Sequence, residues 1–331
     1  MATPYNMVSR DAQLALTEFS NQFDAALSAS DANPWSARFG LSNVSNAIAT
    51  TYPIPLDAAG YVERKGDDKM RDLYERSLTM KSKQWVDGVK VLASKVEAPD
   101  FIGWAGAPAR IAKEGARQPN KLVAAMLEAN PLLDLYRSEK AGGSTASTIN
   151  LFHISHPVNV VEQAKFGTFG NITTGYTAIT EALVEAVKYK FRTRKAPNGE
   201  PGDWKWTVLL VPAAREQEAL KFFSSDTLVQ AVTNVLGTEN VAAVAQPNMH
   251  KGTVEVVVCP EFTNANRLYA LDGDSGCFPW IIQTKGSPEE IRYDKNDAMY
   301  KDQGLIGVKY VLDMGVAAAL PHGIELIDLT P

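Results

Sequence analysis

Cysteine is scarce in this chain: only Cys259 and Cys277 occur in 331 residues, and no CxxC spacing is present. That excludes a disulfide framework and the familiar cysteine-rich metal motifs, and it favours a reduced cytosolic compartment. Long apolar runs are also missing. The longest, such as Trp206 to Ala214, fall far short of the roughly 18 residues that a membrane span needs. The first residues, Met1 to Asp11, show no charged region followed by an apolar stretch, so no signal peptide is expected. Without secretion, the sequons at Asn43 and Asn171 carry no meaning. Nor is there an excess of positive charge. Lysine and arginine number 33 against 38 acidic residues, a net charge of −5. This balance argues against an extensive nucleic-acid-binding face, although not against enclosing nucleic acid without gripping it.

What is present is ordinary for a folded protein: 45% apolar and 21% charged residues, with room for two domains or one large one. The 18 prolines and 23 glycines are spread along the chain, so no collagen-like or low-complexity region stands out. The exception is the mixed-charge segment from Tyr61 to Arg76, YVERKGDDKMRDLYER. Irregular connections of that length are usually functional or disordered. Closely interspersed charges of both signs suggest a surface built to meet a copy of itself.

Leu14, Leu16, Phe19, Phe23, Ala26 and Leu27 recur at helical spacing and predict a helix over 11–29, with Asp11 as a possible cap. Residues 33 to 59 are rich in Ser, Thr, Asn and Pro. Residues 76 to 98 read as extended strands. Ala107-Pro108 opens a helical rod that is kinked or broken at Gln118-Pro119 and ends at Asn130-Pro131. Residues 141 to 149 read as a flexible Gly/Ser/Thr linker. Further on, helices are expected over 177–191, 215–223 and 226–236, the last ended by Gly237. Strands are expected over 204–211, 254–258, 267–271, 280–283 and 305–312, an alternation that suggests an α/β domain over 177–283. The terminal strands, 305 to 327, should return to pair with earlier elements.

The chemical motifs are weak. His153 and His156 are three apart, but Pro157 suggests a turn and no third ligand stands at motif spacing. Gly273-Asp-Ser-Gly276 copies a serine-protease signature without the histidine and aspartate contexts that such chemistry needs. Gly142-Gly-Ser-Thr145 lacks the lysine of a phosphate loop, and Gly167, Gly170 and Gly175 make no dinucleotide fingerprint. Lys188, Lys190, Arg192, Arg194 and Lys195, interleaved with Tyr189 and Phe191, could bind a single strand, but a solvated helix end explains them more simply. Five of the tryptophans, Trp85, Trp104, Trp204, Trp206 and Trp280, read as core or interface anchors. No catalytic set, cofactor motif or metal site emerges. That absence favours a structural role.

Taken in order, several short pieces resemble the major head subunit family of Mu-like tailed phages. They are Glu97-Ala-Pro-Asp-Phe-Ile-Gly103, Leu151-Phe-His-Ile-Ser-His-Pro-Val-Asn159 and Trp206-Thr-Val-Leu-Leu-Val-Pro-Ala213. Val254-Glu-Val-Val-Val-Cys-Pro260, Pro279-Trp-Ile-Ile-Gln283 and Gly307-Val-Lys-Tyr-Val311 complete the set. The resemblance runs from about residue 70 to the C-terminus and implies an α+β chain with the tailed-phage major capsid fold. On that pattern residues 1–50 form an N-terminal arm and 51–98 an extended β-hairpin loop. Residues 99–160 and 276–331 form a peripheral domain with a long spine helix, and 161–275 an axial domain.

The implied function is self-assembly into hexamers and pentamers of an icosahedral head that encloses double-stranded DNA. The implied partners are further copies of the chain, portal, scaffold and cementing proteins, and DNA held without sequence-specific contacts. The implied location is the virion, assembled in the host bacterial cytoplasm, with no membrane, enzyme activity or cofactor. The inter-subunit contacts expected in the extended loop are Glu63, Arg64, Lys65, Asp67, Asp68, Lys69 and Arg71. Two other readings compete: an encapsulin-like nanocompartment shell, and a hydrolase using His153, His156 or Ser275.

Overall fold

The computed structural model describes residues 12–29, 34–55, 75–96, 106–136, 138–140, 143–145, 148–159, 163–232, 242–274, 276–294 and 296–330. The chain divides into two compact units. One comprises Met1–Tyr52, Thr79–Val123 and Trp280–Ala317; the other comprises Pro53–Leu78, Ala124–Pro279 and Ala318–Pro331.

The first unit is organised by the long strand Leu305–Ala318. Along one edge it pairs antiparallel with Lys83–Leu92, from Leu305↔Leu92 to Met314↔Lys83. On its other side lie Glu289–Tyr293 and Trp280–Thr284, and Leu41–Val44 pairs parallel with the latter. Two glycines sit where these strands close. A Cβ on Gly88 would lie 2.7 Å from the Val308 carbonyl oxygen, and one on Gly307 would lie 2.6 Å from that of Val89. The strand outruns its expected end at Leu312 by six residues, and Lys83–Leu92 stays paired with it as far as Met314.

Alternation along that strand turns Ile306, Val308 and Tyr310 to one face. There they meet Leu16, Phe19 and Phe23 of the Ala12–Ala29 helix, with Val91, Val96 and Ala112. Phe23 stacks on Tyr310 with ring centroids 3.6 Å apart. The expected helix is present; its proposed cap, Asp11, lies outside the described residues.

The predicted rod is a helix, Ala107–Ala129, which runs through Pro119 without interruption. The proline removes one backbone donor and crowds the carbonyl four residues earlier. That position is Gly115, beside which a Cβ would meet nothing within 4 Å, so room exists for local adjustment. Neighbouring turns carry the helix across the gap, so the rod, expected to be kinked or broken there, is not broken. It ends at Asn130, which adopts a left-handed conformation at φ 47°. Asn130 Oδ1 accepts from the Phe152 N–H at 2.7 Å, and its Nδ2 donates to the Phe152 carbonyl at 3.1 Å.

The second unit contains a mixed sheet in the order Glu255–Val258, Val208–Val211, Arg267–Leu271, Ile324–Asp328, Ile172–Thr173. Its first and last pairs are parallel and the two central ones antiparallel. The Glu181–Thr193 helix, capped by Thr180, buries Leu183, Val184, Val187 and Phe191. They join Leu209, Val211, Phe222, Phe223, Leu268 and Ile327 in one core. The closing strand does return to the sheet, as expected.

Two further expectations fail. Residues 226–236 do not form a helix: Thr227–Val232 is a strand, antiparallel to Ala242–Pro247 over six residue pairs. Residues 233–241, with the proposed stop at Gly237, lie outside the described residues. The segment's β-branched residues suit a ladder better than a helix. The stretch read as a loose linker contains Gly143–Thr145, paired with Ser138–Lys140, so its backbone groups are held in a ladder.

Candidate assembly surface

Strands Ala49–Pro55 and Glu75–Lys81 pair in a two-stranded sheet and frame residues 56–74. All seven charged positions predicted to touch a neighbour, Glu63, Arg64, Lys65, Asp67, Asp68, Lys69 and Arg71, lie outside the described residues.

The base of this segment is described, and it is tied to the first unit's sheet. Gln283, fully buried in the strand Trp280–Thr284, accepts at Oε1 from the Tyr52 hydroxyl at 2.9 Å. Its Nε2 donates to the Ala47 carbonyl and to Ser82 Oγ, each at 3.0 Å. Asn43 Nδ2 donates to the Tyr52 oxygen at 3.0 Å, which extends the network to the edge strand. One side chain thus joins residues on both sides of the segment to the sheet. Gln283 appears in the sequence only as the end of an apolar run; its burial was the missing signal.

The basic cluster divides: Arg192 and Lys195 are exposed, as at a solvated helix end, whereas Arg194 is buried and Lys190 reaches inward to a buried carboxylate. Glu325, fully buried, accepts at Oε1 from Thr173 Oγ1 at 2.6 Å and from Lys190 Nζ at 2.9 Å. Arg194 Nη2 donates to its other oxygen, while Nη1 donates to the carbonyls of His322 and Ile324. The guanidinium also lies 4.8 Å from the Phe191 ring centroid and 5.2 Å from that of Phe169. Burial pushes the Arg194 pKa down, and Glu325 opposes that shift. Arg192 lies 3.6 Å from Asp203, and Lys188 bonds His250 and Thr253. Phe191 belongs to the core, whereas Tyr189 is 70% exposed. Lys190 and Arg194 thus neutralise the buried Glu325.

The two histidines considered as ligands or catalysts are structural. His156 is buried, with Nε2 3.0 Å from Asn171 Oδ1, and burial lowers its pKa to about 4. His153 lies beside it edge-on, ring centroids 5.8 Å apart, and its Nδ1 accepts from the Ser155 N–H at 3.1 Å. At the start of the protease-like stretch, the buried Asp272 accepts from the N–H groups of Lys205 at 2.8 Å and Asp274 at 3.1 Å. Ser275 lies outside the described residues. Cys259 and Cys277 are buried free thiols, and burial raises the pKa of both, that of Cys277 to about 12. No described helix is long and apolar enough to cross a membrane.

The sequence profile of the phage capsid protein family matches residues 96–325. The chain belongs to that family. No curated protein matches it in sequence. Among solved structures, the capsid of an empty GTA particle is similar at 11% identity and TM-score 0.50, covering 91% of each chain. Mycobacterium phage Patience matches at 11% identity and TM-score 0.51, over 98% of this chain and 90% of that one. The bacteriophage JBD30 capsid matches at 15% identity and TM-score 0.51, over 70% of this chain and 91% of the other. At these identities the structures establish the fold, that of tailed-phage major capsid proteins. By its family the chain is a phage capsid protein, and the nanocompartment reading is not favoured.

Proposed function

We propose that this capsid protein is a Mu-like head subunit whose hexamers and pentamers close around double-stranded DNA. The observation that carries this reading is the family match over residues 96–325, joined to a strand pair that frames residues 56–74 from a rigid base. In this account residues 1–50 form the arm and 51–98 the extended loop. Residues 99–160 and 276–331 form the peripheral domain with the Ala107–Ala129 helix as its spine, and 161–275 the axial domain. The loop lies across a neighbouring copy, where Glu63, Arg64, Lys65, Asp67, Asp68, Lys69 and Arg71 set register.

Exposed ion pairs contribute only about 0–1 kcal/mol each. They therefore select the partner more than they hold it, and adhesion comes from area summed over the lattice. The net charge of −5 suits a shell that confines DNA without adhering to it. Portal, scaffold and cementing proteins are the further partners, and the shell forms in the host cytoplasm without catalysis by this chain. Reversing the charges at Arg64, Lys65 and Arg71 together tests the reading. Folded subunits that no longer form heads are expected; normal heads by electron microscopy would sink it.

A further inference from the structure

Three side chains without a part in the account above meet near the start of the Glu181–Thr193 helix. Glu181 and Glu185 stand one turn apart on that helix, and His250 comes from the turn after the Ala242–Pro247 strand. One carboxylate oxygen of each glutamate and one ring nitrogen of His250 all lie within 4.8 Å of one another.

His250 is only 7% exposed, and its position is fixed. Its backbone N–H donates to Asn248 Oδ1 at 2.9 Å, and its ring stacks on Phe222 with centroids 6.2 Å apart. Yet its Nε2 is buried and makes no hydrogen bond. A buried ring nitrogen left unsatisfied is costly as it stands. A cation shared with the two carboxylates would satisfy it.

We propose that Glu181, Glu185 and His250 bind a first-row divalent cation of the Zn2+ or Mn2+ class, tying the helix to the base of the Thr227–Pro247 hairpin. Imidazole and carboxylate together suit such ions, and three protein ligands leave a coordination position for water. The ligand atoms must draw closer than 4.8 Å to share an ion. Glu185 is exposed, so its side chain is free to make that movement.

Lys188 supplies a built-in competitor. Its Nζ donates to His250 Nδ1 at 3.1 Å and to Thr253 Oγ1 at 2.9 Å. An ammonium only donates, so Nδ1 accepts and the ring proton resides on Nε2. Binding of the ion at Nε2 moves that proton to Nδ1, and Lys188 retains only Thr253.

The test uses the full-length protein stripped with a chelator and titrated calorimetrically with Zn2+, with Co2+ absorption reporting an imidazole ligand. One ion per chain is expected. Glu185→Gln, at an exposed position that leaves the fold intact, should weaken binding by about tenfold or more, as loss of a ligand does. Lys188→Met should strengthen it. An absence of stoichiometric binding to the wild type, or an affinity unchanged by Glu185→Gln, would overturn the proposal.

Discussion

Arg194 donates through Nη2 to Glu325, and neither side chain is more than 1% exposed. Removing one partner of a buried pair leaves an uncompensated charge, at a cost of about 3–5 kcal/mol. Glu325→Leu should therefore destabilise the subunit by that order, and the Arg194→Leu, Glu325→Leu double variant by less. Denaturant unfolding of unassembled subunits measures both. A double variant as damaged as the sum of the single ones would contradict the pairing.

Acid sensitivity follows from two histidines. Burial holds His156 at about 4 and His322 at about 3, below the ordinary value of 6.5. The unfolded chain takes up these protons first, so stability is intact above 6.5 and declines as pH falls from 6.5 towards 4 and then 3. The full loss should be on the order of 3–5 kcal/mol per histidine. The His322 ring is buried and packs against Phe169 with centroids 4.6 Å apart. Replacing it with Phe should flatten the profile at little cost at neutral pH. Melting temperatures recorded across this window decide the matter.

Gln283 is expected to control the base of the extended loop. Gln283→Leu leaves the Tyr52 hydroxyl, the Ala47 carbonyl and Ser82 Oγ without that partner. The cost should be about 1–3 kcal/mol. Limited proteolysis should then show faster cleavage within residues 56–74. An unchanged cleavage rate would place the anchor elsewhere.

The two strand glycines make a steric prediction. A methyl group at Gly307 would lie 2.6 Å from the Val89 carbonyl oxygen, so Gly307→Ala must push the strands apart. A loss of about 1–3 kcal/mol is expected from such overpacking. Gly115→Ala, where a Cβ meets nothing within 4 Å, provides the matched control.

Local periodicity made much of the fold legible. Leu16, Phe19 and Phe23 announce their helix, and the β-branched run from Val254 to Val258 announces its strand. The Thr227–Val232 strand was hidden because Leu228, Val229, Val232, Val235 and Leu236 also fit helical spacing. Its partner begins only at Ala242, across a segment that local patterning does not connect. The role of Lys190 and Arg194 was equally hidden. They look like solvated charges at a helix end until Glu325, 131 residues beyond Arg194, arrives on the closing strand. Gln283 ties Ala47 to Ser82 by the same kind of distant pairing. Long-range partners, not composition, decided these sites.

Electron microscopy of the purified, overexpressed chain tests the central claim most directly. The account predicts closed shells built from rings of six and five subunits. A population that remains monomeric at every concentration, with residues 61 to 76 packed on their own subunit, would contradict it.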